Sequence, residues 1–165
     1  MLKLLTGAIG AIIGAVVAIP GLRFLATPLT KEMVTGGEEP LRVASLDQVE
    51  PEIPLRVNVV GQRNDGWLRQ DSVKLGACWL TRSATGQVRA FSTVCPHLGC
   101  GIDYNDKNQK FECPCHGSFF DNKDGRCVEG PSPRGMDELD VVTSGKDIKV
   151  RYRRFRIAIG KKVPV

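Results

Sequence analysis

Histidine is nearly missing from this chain, with 2 among 165 residues, and aromatic side chains make up only 6%. Aromatic and basic residues therefore do not interleave outside the last fifteen positions, and a net charge of +5 is modest. The sequence gives no basis for a nucleic-acid interface. No convincing amphipathic helix can be traced, which argues against a helical bundle. Six cysteines are too few for a disulfide scaffold in a chain this long, so their clustering matters more than their number. No Ala-x-Ala follows the N-terminal apolar run, which disfavours a cleaved signal peptide.

Charge is also absent from Leu4 to Leu22. Nineteen helical residues at about 1.5 Å each span roughly 28 Å, close to the hydrocarbon core of a bilayer. Residues 1–26 read as a retained transmembrane anchor. The small residues Gly7, Ala11 and Ala15, and Gly10, Gly14 and Ala18, would let a partner helix approach closely. Pro20 and Gly21 are expected to end or kink the helix where it leaves the bilayer. Lys3 before the segment and Arg23 and Lys31 after it do not fix its orientation. Residues 27–40, TPLTKEMVTGGEEP, are polar and interrupted by proline and a glycine pair, so they read as a flexible linker.

Residues 41–165 then form one domain. Strand character is expected at Leu55 to Val60, Val73 to Thr81, Val88 to Thr93, Lys110 to Cys113, Leu139 to Val142 and Ile148 to Ile159. Turn signals separate them at Asn64-Asp65-Gly66, Thr85-Gly86, Asn122 to Gly125 and Ser144-Gly145. Short strands at this spacing predict an all-β sandwich or barrel. Trp79 falls in an apolar strand and reads as core. Cys78 and Cys127 read as buried free thiols in preference to a second disulfide. The basic stretch RYRRFRIAIGKK, residues 151–162, reads as a solvated terminal strand, with contact to anionic lipid or a partner subunit as its rival.

Both histidines and four of the six cysteines fall in two hexapeptides, CPHLGC at 95–100 and CPCHGS at 113–118. Cys95, His97, Cys113 and His116 supply two thiolates and two imidazoles, a donor set that suits either zinc or a cluster of two irons. Structural zinc sites usually separate paired ligands by two to five residues, whereas Cys95 and His97 have one residue between them. Cys100 and Cys115 are left over. A disulfide between them would clamp the loops and require an oxidising compartment; two unlinked thiols beside the metal are the alternative.

These hexapeptides resemble the two boxes of Rieske iron-sulfur proteins, and Gly130-Pro131-Ser132-Pro133 is similar to the proline-rich loop that covers the cluster in the quinol-oxidising branch. The resemblance implies an all-β, Rieske-type antiparallel β-sandwich head with one N-terminal transmembrane helix. It implies one [2Fe-2S] cluster with Cys95 and Cys113 on one iron, His97 and His116 on the other, and a Cys100–Cys115 disulfide. Leu98, Gly117, Phe120, Gly130, Pro131 and Pro133 are expected beside the cluster. With neutral imidazoles, two ferric ions, two sulfides and two thiolates sum to zero charge, so adding an electron is easier than in a four-cysteine cluster. That electron then favours a proton on the imidazoles, and His116, with His97 beside it, is the expected contact for quinol. Ser118 matches the family serine that donates to a bridging sulfide. Phe120 stands where high-potential members carry a donating tyrosine. Loss of that donor is expected to lower the potential by roughly 60 to 130 mV, favouring menaquinol over ubiquinol.

The resemblance thus implies the iron-sulfur subunit of a respiratory quinol:cytochrome c oxidoreductase, inactive by itself. It would sit in a dimeric complex with a cytochrome b-type subunit and a c-type cytochrome, its head on the extracytoplasmic side of the cell membrane. The rivals are the small Rieske subunit of an arsenite-oxidase-like enzyme and, from another class, a zinc-binding interaction module. One departure is that only Lys3 precedes the apolar segment, where exported members often carry a twin-arginine signal.

Overall fold

The computed structural model describes residues 1–30, 39–64 and 67–165, together with the backbone of 34–35. The N-terminus is one helix, α1 (Leu2–Thr30), with no buried residue. Its mean hydropathy reaches 2.2 and its length suffices to cross a membrane. The helix continues through Pro20 and past the expected boundary at residue 26. A proline removes one intrahelical hydrogen bond, a loss that the rest of a long apolar helix can carry. Of the expected linker, residues 27–30 are therefore helical, while 31–33 and 36–38 lie outside the described residues, as do 65–66 of one expected turn.

Pro28 also lies inside α1. Having no N–H, it leaves the carbonyl of Phe24, one turn earlier, without its helical donor. The Trp67 indole N–H donates to that carbonyl at 3.2 Å, and the two rings stack with centroids 5.3 Å apart. The head thus touches α1 at a carbonyl that a proline has freed.

The head is built from β1 (Val34–Thr35), β2 (Leu41–Ser45), β3 (Leu55–Asn64), β4 (Arg69–Arg82), β5 (Val88–Ser92), β6 (Asp103–Asn105), β7 (Lys110–Cys113), β8 (Ser118–Asp121), β9 (Cys127–Glu129), β10 (Glu138–Ser144) and β11 (Asp147–Arg151). Among the described residues these form a seven-stranded sheet, in the order β1-β3-β4-β5-β10-β11-β2, and a four-stranded sheet, β6-β7-β8-β9. Every pairing within them is antiparallel.

The strand β4 explains how the two sheets join. Successive side chains in a strand point to opposite faces, and Ala77, Cys78, Trp79 and Leu80 are all buried. Cys78 and Leu80 pack with Val59, Ile148 and Val150 in one core. Trp79 turns the other way into a second core with Phe91, Ile102, Phe111 and Phe120, its ring 5.5 Å from that of Phe111 and its indole N–H donating to the Ile102 carbonyl at 2.9 Å. Burying each of these phenylalanines contributes about 1.5 to 3 kcal/mol, so the small sheet is mounted firmly on the large one. Cys95 and Cys113 belong to this second core.

The C-terminus departs from the sequence reading. The strand expected over Ile148 to Ile159 ends at Arg151: β2 begins at Leu41, opposite Val150, the last pair with β10 is Arg151 with Asp140, and the chain leaves the sheet there although β10 runs on to Glu138. The chain then folds into a narrow hairpin, with Arg156 N–H donating to the Val163 carbonyl and Val165 N–H to that of Arg154. This hairpin returns to the cysteine- and histidine-bearing loops. Cys78 is buried and Cys127 half-buried, and neither is bridged.

Candidate functional site

The two hexapeptides adopt the same local geometry for the same reason. Each begins Cys-Pro-x-x-Gly, and in each the glycine takes a left-handed backbone, φ +84 at Gly99 and φ +68 at Gly117. The Gly99 N–H donates to the Cys95 carbonyl at 2.9 Å, and the Gly117 N–H to the Cys113 carbonyl at 3.1 Å. Each turn therefore closes on its own cysteine. The first loop follows β5 and is tied at its base by Cys95 N–H to the Cys100 carbonyl at 2.8 Å. The second is the loop of the β7–β8 hairpin, whose last pair is Cys113 with Ser118.

A disulfide joins Cys100 to Cys115, with Cα atoms 6.6 Å apart. The Cys113 sulfur lies within 4.8 Å of both bridged sulfurs; these three form no metal site of their own, since a disulfide offers no thiolate. Cys95 and Cys113 are buried, His97 is half-buried and His116 is exposed. The two imidazoles meet edge to face with centroids 4.8 Å apart, close enough to share one ion. Burial pushes the Cys95 thiol up to about 11, against the pull of the His97 and Leu98 backbone N–H groups. A thiolate at the base of this site therefore needs a cation beside it.

A second feature fits a group that brings its own acceptors. The Ser118 hydroxyl oxygen is buried and has no hydrogen-bond partner among the described residues, an arrangement that costs about 1 to 3 kcal/mol if nothing completes it. Bridging sulfides are acceptors of the kind it lacks. Phe120, two residues along β8 on the same inward face, is fully buried in the aromatic core.

Gly130 has φ +95, and a Cβ there would lie 2.3 Å from the Gly117 carbonyl oxygen and 2.5 Å from the Ser118 Cα. Only glycine lets the 130–133 loop press on the second box this closely. Pro131, Pro133 and Leu98 are exposed. The structure thus brings Cys95, His97, Cys113, His116, Gly117 and Ser118 to one place, with Phe120 below. Sequence reasoning missed Arg134 and Asp137, a buried ion pair just past the covering loop. Their one signal was opposite charge at a spacing of three beside Met136.

Residues 39–144 match the profile of the Rieske [2Fe-2S] domain. The menaquinol:cytochrome c reductase iron-sulfur subunit of Geobacillus thermodenitrificans is 35% identical over 132 residues, covering 78% of this chain and 74% of that protein. The cytochrome b6-f complex iron-sulfur subunit of Trichodesmium erythraeum is 52% identical over 72 residues, 43% of this chain and 40% of that one. Among solved structures, a quaternary ammonium Rieske monooxygenase bound to an inhibitor superposes with a TM-score of 0.50 at 18% identity, over 69% of this chain and 31% of that one, a likeness of fold alone. Two buried thiols, two adjoining imidazoles and a buried hydroxyl awaiting an acceptor agree with the profile: this chain belongs to the Rieske family and carries one Rieske-type [2Fe-2S] cluster.

Proposed function

We propose that Cys95 and Cys113 hold one iron of the cluster and His97 and His116 the other. On this reading the chain is the iron-sulfur subunit of a quinol:cytochrome c oxidoreductase that acts on menaquinol. The observation that carries it is the split between buried thiols and outward imidazoles, fixed by the Cys100–Cys115 bridge. The G. thermodenitrificans relative supports the choice of reaction. The helix α1 would anchor the chain, with the head outside, where the bridge persists.

Bound here, the cluster supplies one-electron chemistry at a potential raised by its neutral imidazoles. The protein does the rest. The second aromatic core excludes water from the two thiols. His116 presents an exposed ring edge through which quinol can donate a hydrogen bond, and the imidazole takes the proton as the electron leaves. The subunits that would receive the electrons are a c-type cytochrome and, for the second, a b-type cytochrome.

The test is electron paramagnetic resonance on membranes containing the protein, reduced stepwise at set potentials with and without a quinol-site inhibitor. The expected result is a rhombic Rieske signal whose shape responds to the inhibitor. A signal indifferent to every such inhibitor would overturn the quinol reading, and an intact signal in His116→Ala would overturn the ligand assignment.

A further inference from the structure

We propose that Arg134 is a positioning residue for the first cluster loop, acting through the C-terminal hairpin. The proposal rests on the assignment of Cys95 and His97 as ligands and gives a role to a part of the chain, residues 154–165, that this assignment leaves unused.

Arg134 follows Pro133 directly, at the end of the covering loop. Its side chain is 9% exposed and that of Asp137 is 5% exposed. The guanidinium grips the carboxylate with both arms, Nε to Oδ1 at 2.9 Å and Nη2 to Oδ2 at 2.8 Å. As a stabilising device such a pair is poor, because removing two charges from water costs about what their attraction returns. The geometry points to another use. Beyond Asp137 the same guanidinium donates from Nη1 to the Ile159 carbonyl at 2.5 Å and from Nη2 to the Arg156 carbonyl at 2.8 Å. It therefore holds the hairpin at two points three residues apart.

Between those points lies Ala158, with φ +60. A residue with a Cβ adopts this left-handed conformation at a cost of about 1 to 2 kcal/mol, and it persists only where the surroundings impose it. The grip on residues 156 and 159 is that imposition. Its result is an aimed donor: the Ala158 N–H meets the Pro96 carbonyl at 2.8 Å. Pro96 stands between Cys95 and His97. Asp137 closes the circuit from the other side, because its backbone carbonyl accepts from the Ser92 N–H at 2.8 Å, at the end of the strand that leads into the same loop. Covering loop, C-terminal hairpin and first cluster loop are thus joined in one ring of hydrogen bonds with Arg134 at its centre. The free end of the hairpin is held separately: Lys162 donates to the Glu138 carbonyl and lies 4.7 Å from the Phe155 ring centroid.

A lysine at 134 keeps the charge but not the planar fork that meets several acceptors at once. The experiment compares wild type, Arg134→Lys and Ala158→Val in the full-length, cluster-loaded protein. Ala158→Val leaves the buried pair intact but sets a β-branched residue where φ is positive, so the aimed N–H is withdrawn without unpairing a charge. Three quantities are read: amide hydrogen exchange over residues 94–101, the g-values of the reduced centre, and its midpoint. Both variants are expected to exchange roughly tenfold faster over 94–101, with β3 unchanged, and to show altered g-values. Misplacement of this kind also predicts roughly tenfold slower quinol-dependent cytochrome c reduction. If both variants only melt earlier, with wild-type exchange, g-values and midpoint, Arg134 is a structural residue and the proposal falls. If wild type itself gives no Rieske signal, the ligand assignment has failed, and the exchange measurement still decides whether Arg134 holds the loop.

Discussion

Replacing Phe120 by tyrosine adds one hydroxyl on the inward face of β8, the face that carries Ser118. Phe120 is fully buried, so the hydroxyl has no water to turn to. If it reaches a ligand sulfur it donates to an acceptor that grows more negative on reduction, which stabilises the reduced state and raises the midpoint. A hydrogen bond to a charged acceptor contributes about 1.5 to 3 kcal/mol, and 59 mV corresponds to about 1.4 kcal/mol for one electron, so the expected rise is roughly 60 to 130 mV. If the hydroxyl misses the sulfur, it is a buried donor without a partner and costs about 1 to 3 kcal/mol. The two outcomes therefore separate in two assays, a redox titration followed by paramagnetic resonance and a thermal melt. A raised midpoint with an unchanged melt supports the reasoning. An unchanged or lower midpoint refutes it, and with it the link between Phe120 and menaquinol.

Ser118→Ala should lower the midpoint by a similar ~60 to 130 mV while leaving the cluster-free protein at least as stable as wild type, because it removes a buried oxygen that has no partner among the described residues. Reducing the Cys100–Cys115 bridge, which spans a separation of 15 residues, should cost about 3 kcal/mol and show as a lower melting temperature with cluster loss. Burial pushes the Cys78 thiol up to about 12, so at pH 8 a maleimide should label the half-buried Cys127 and spare Cys78 until the protein is unfolded. Hydrogen bonding from Arg89 lowers the Glu138 carboxyl below 4.5. A depressed carboxyl stabilises the fold above its unfolded value and loses that contribution as pH falls through the folded one. The pH-dependent part of the Arg89→Gln stability deficit should therefore fade below about pH 4.5, and stay under about 1 kcal/mol because the Glu138 side chain is 44% exposed.

What could be read without coordinates was whatever is contiguous. The two boxes carry their cysteines, prolines, histidines and turn glycines within six residues each, and β7 falls at Lys110–Cys113 as alternation suggests. The three-residue strands β6 and β9 are too short to display a period, and β8, as long as β7, opens on Ser118 inside the second box, where the turn residues hide it. The opposite error at Ile148 to Ile159 arose because the chain leaves the sheet after Arg151 and pairs with its own C-terminal residues, which no local pattern records. The Arg134 grip was unreadable for a related reason. Its acceptors are backbone carbonyls of residues 156 and 159, and any side chain there would have served.

The Trp67 contact with α1 gives the head a preferred resting place. One neutral hydrogen bond and one aromatic pair together contribute about 1 to 3 kcal/mol, which is an occupancy bias of roughly fivefold to 150-fold. That is the depth of a detent and not of a bolt. A head held no more firmly than this can be drawn off the helix by any surface that binds the detached arrangement a few kcal/mol better.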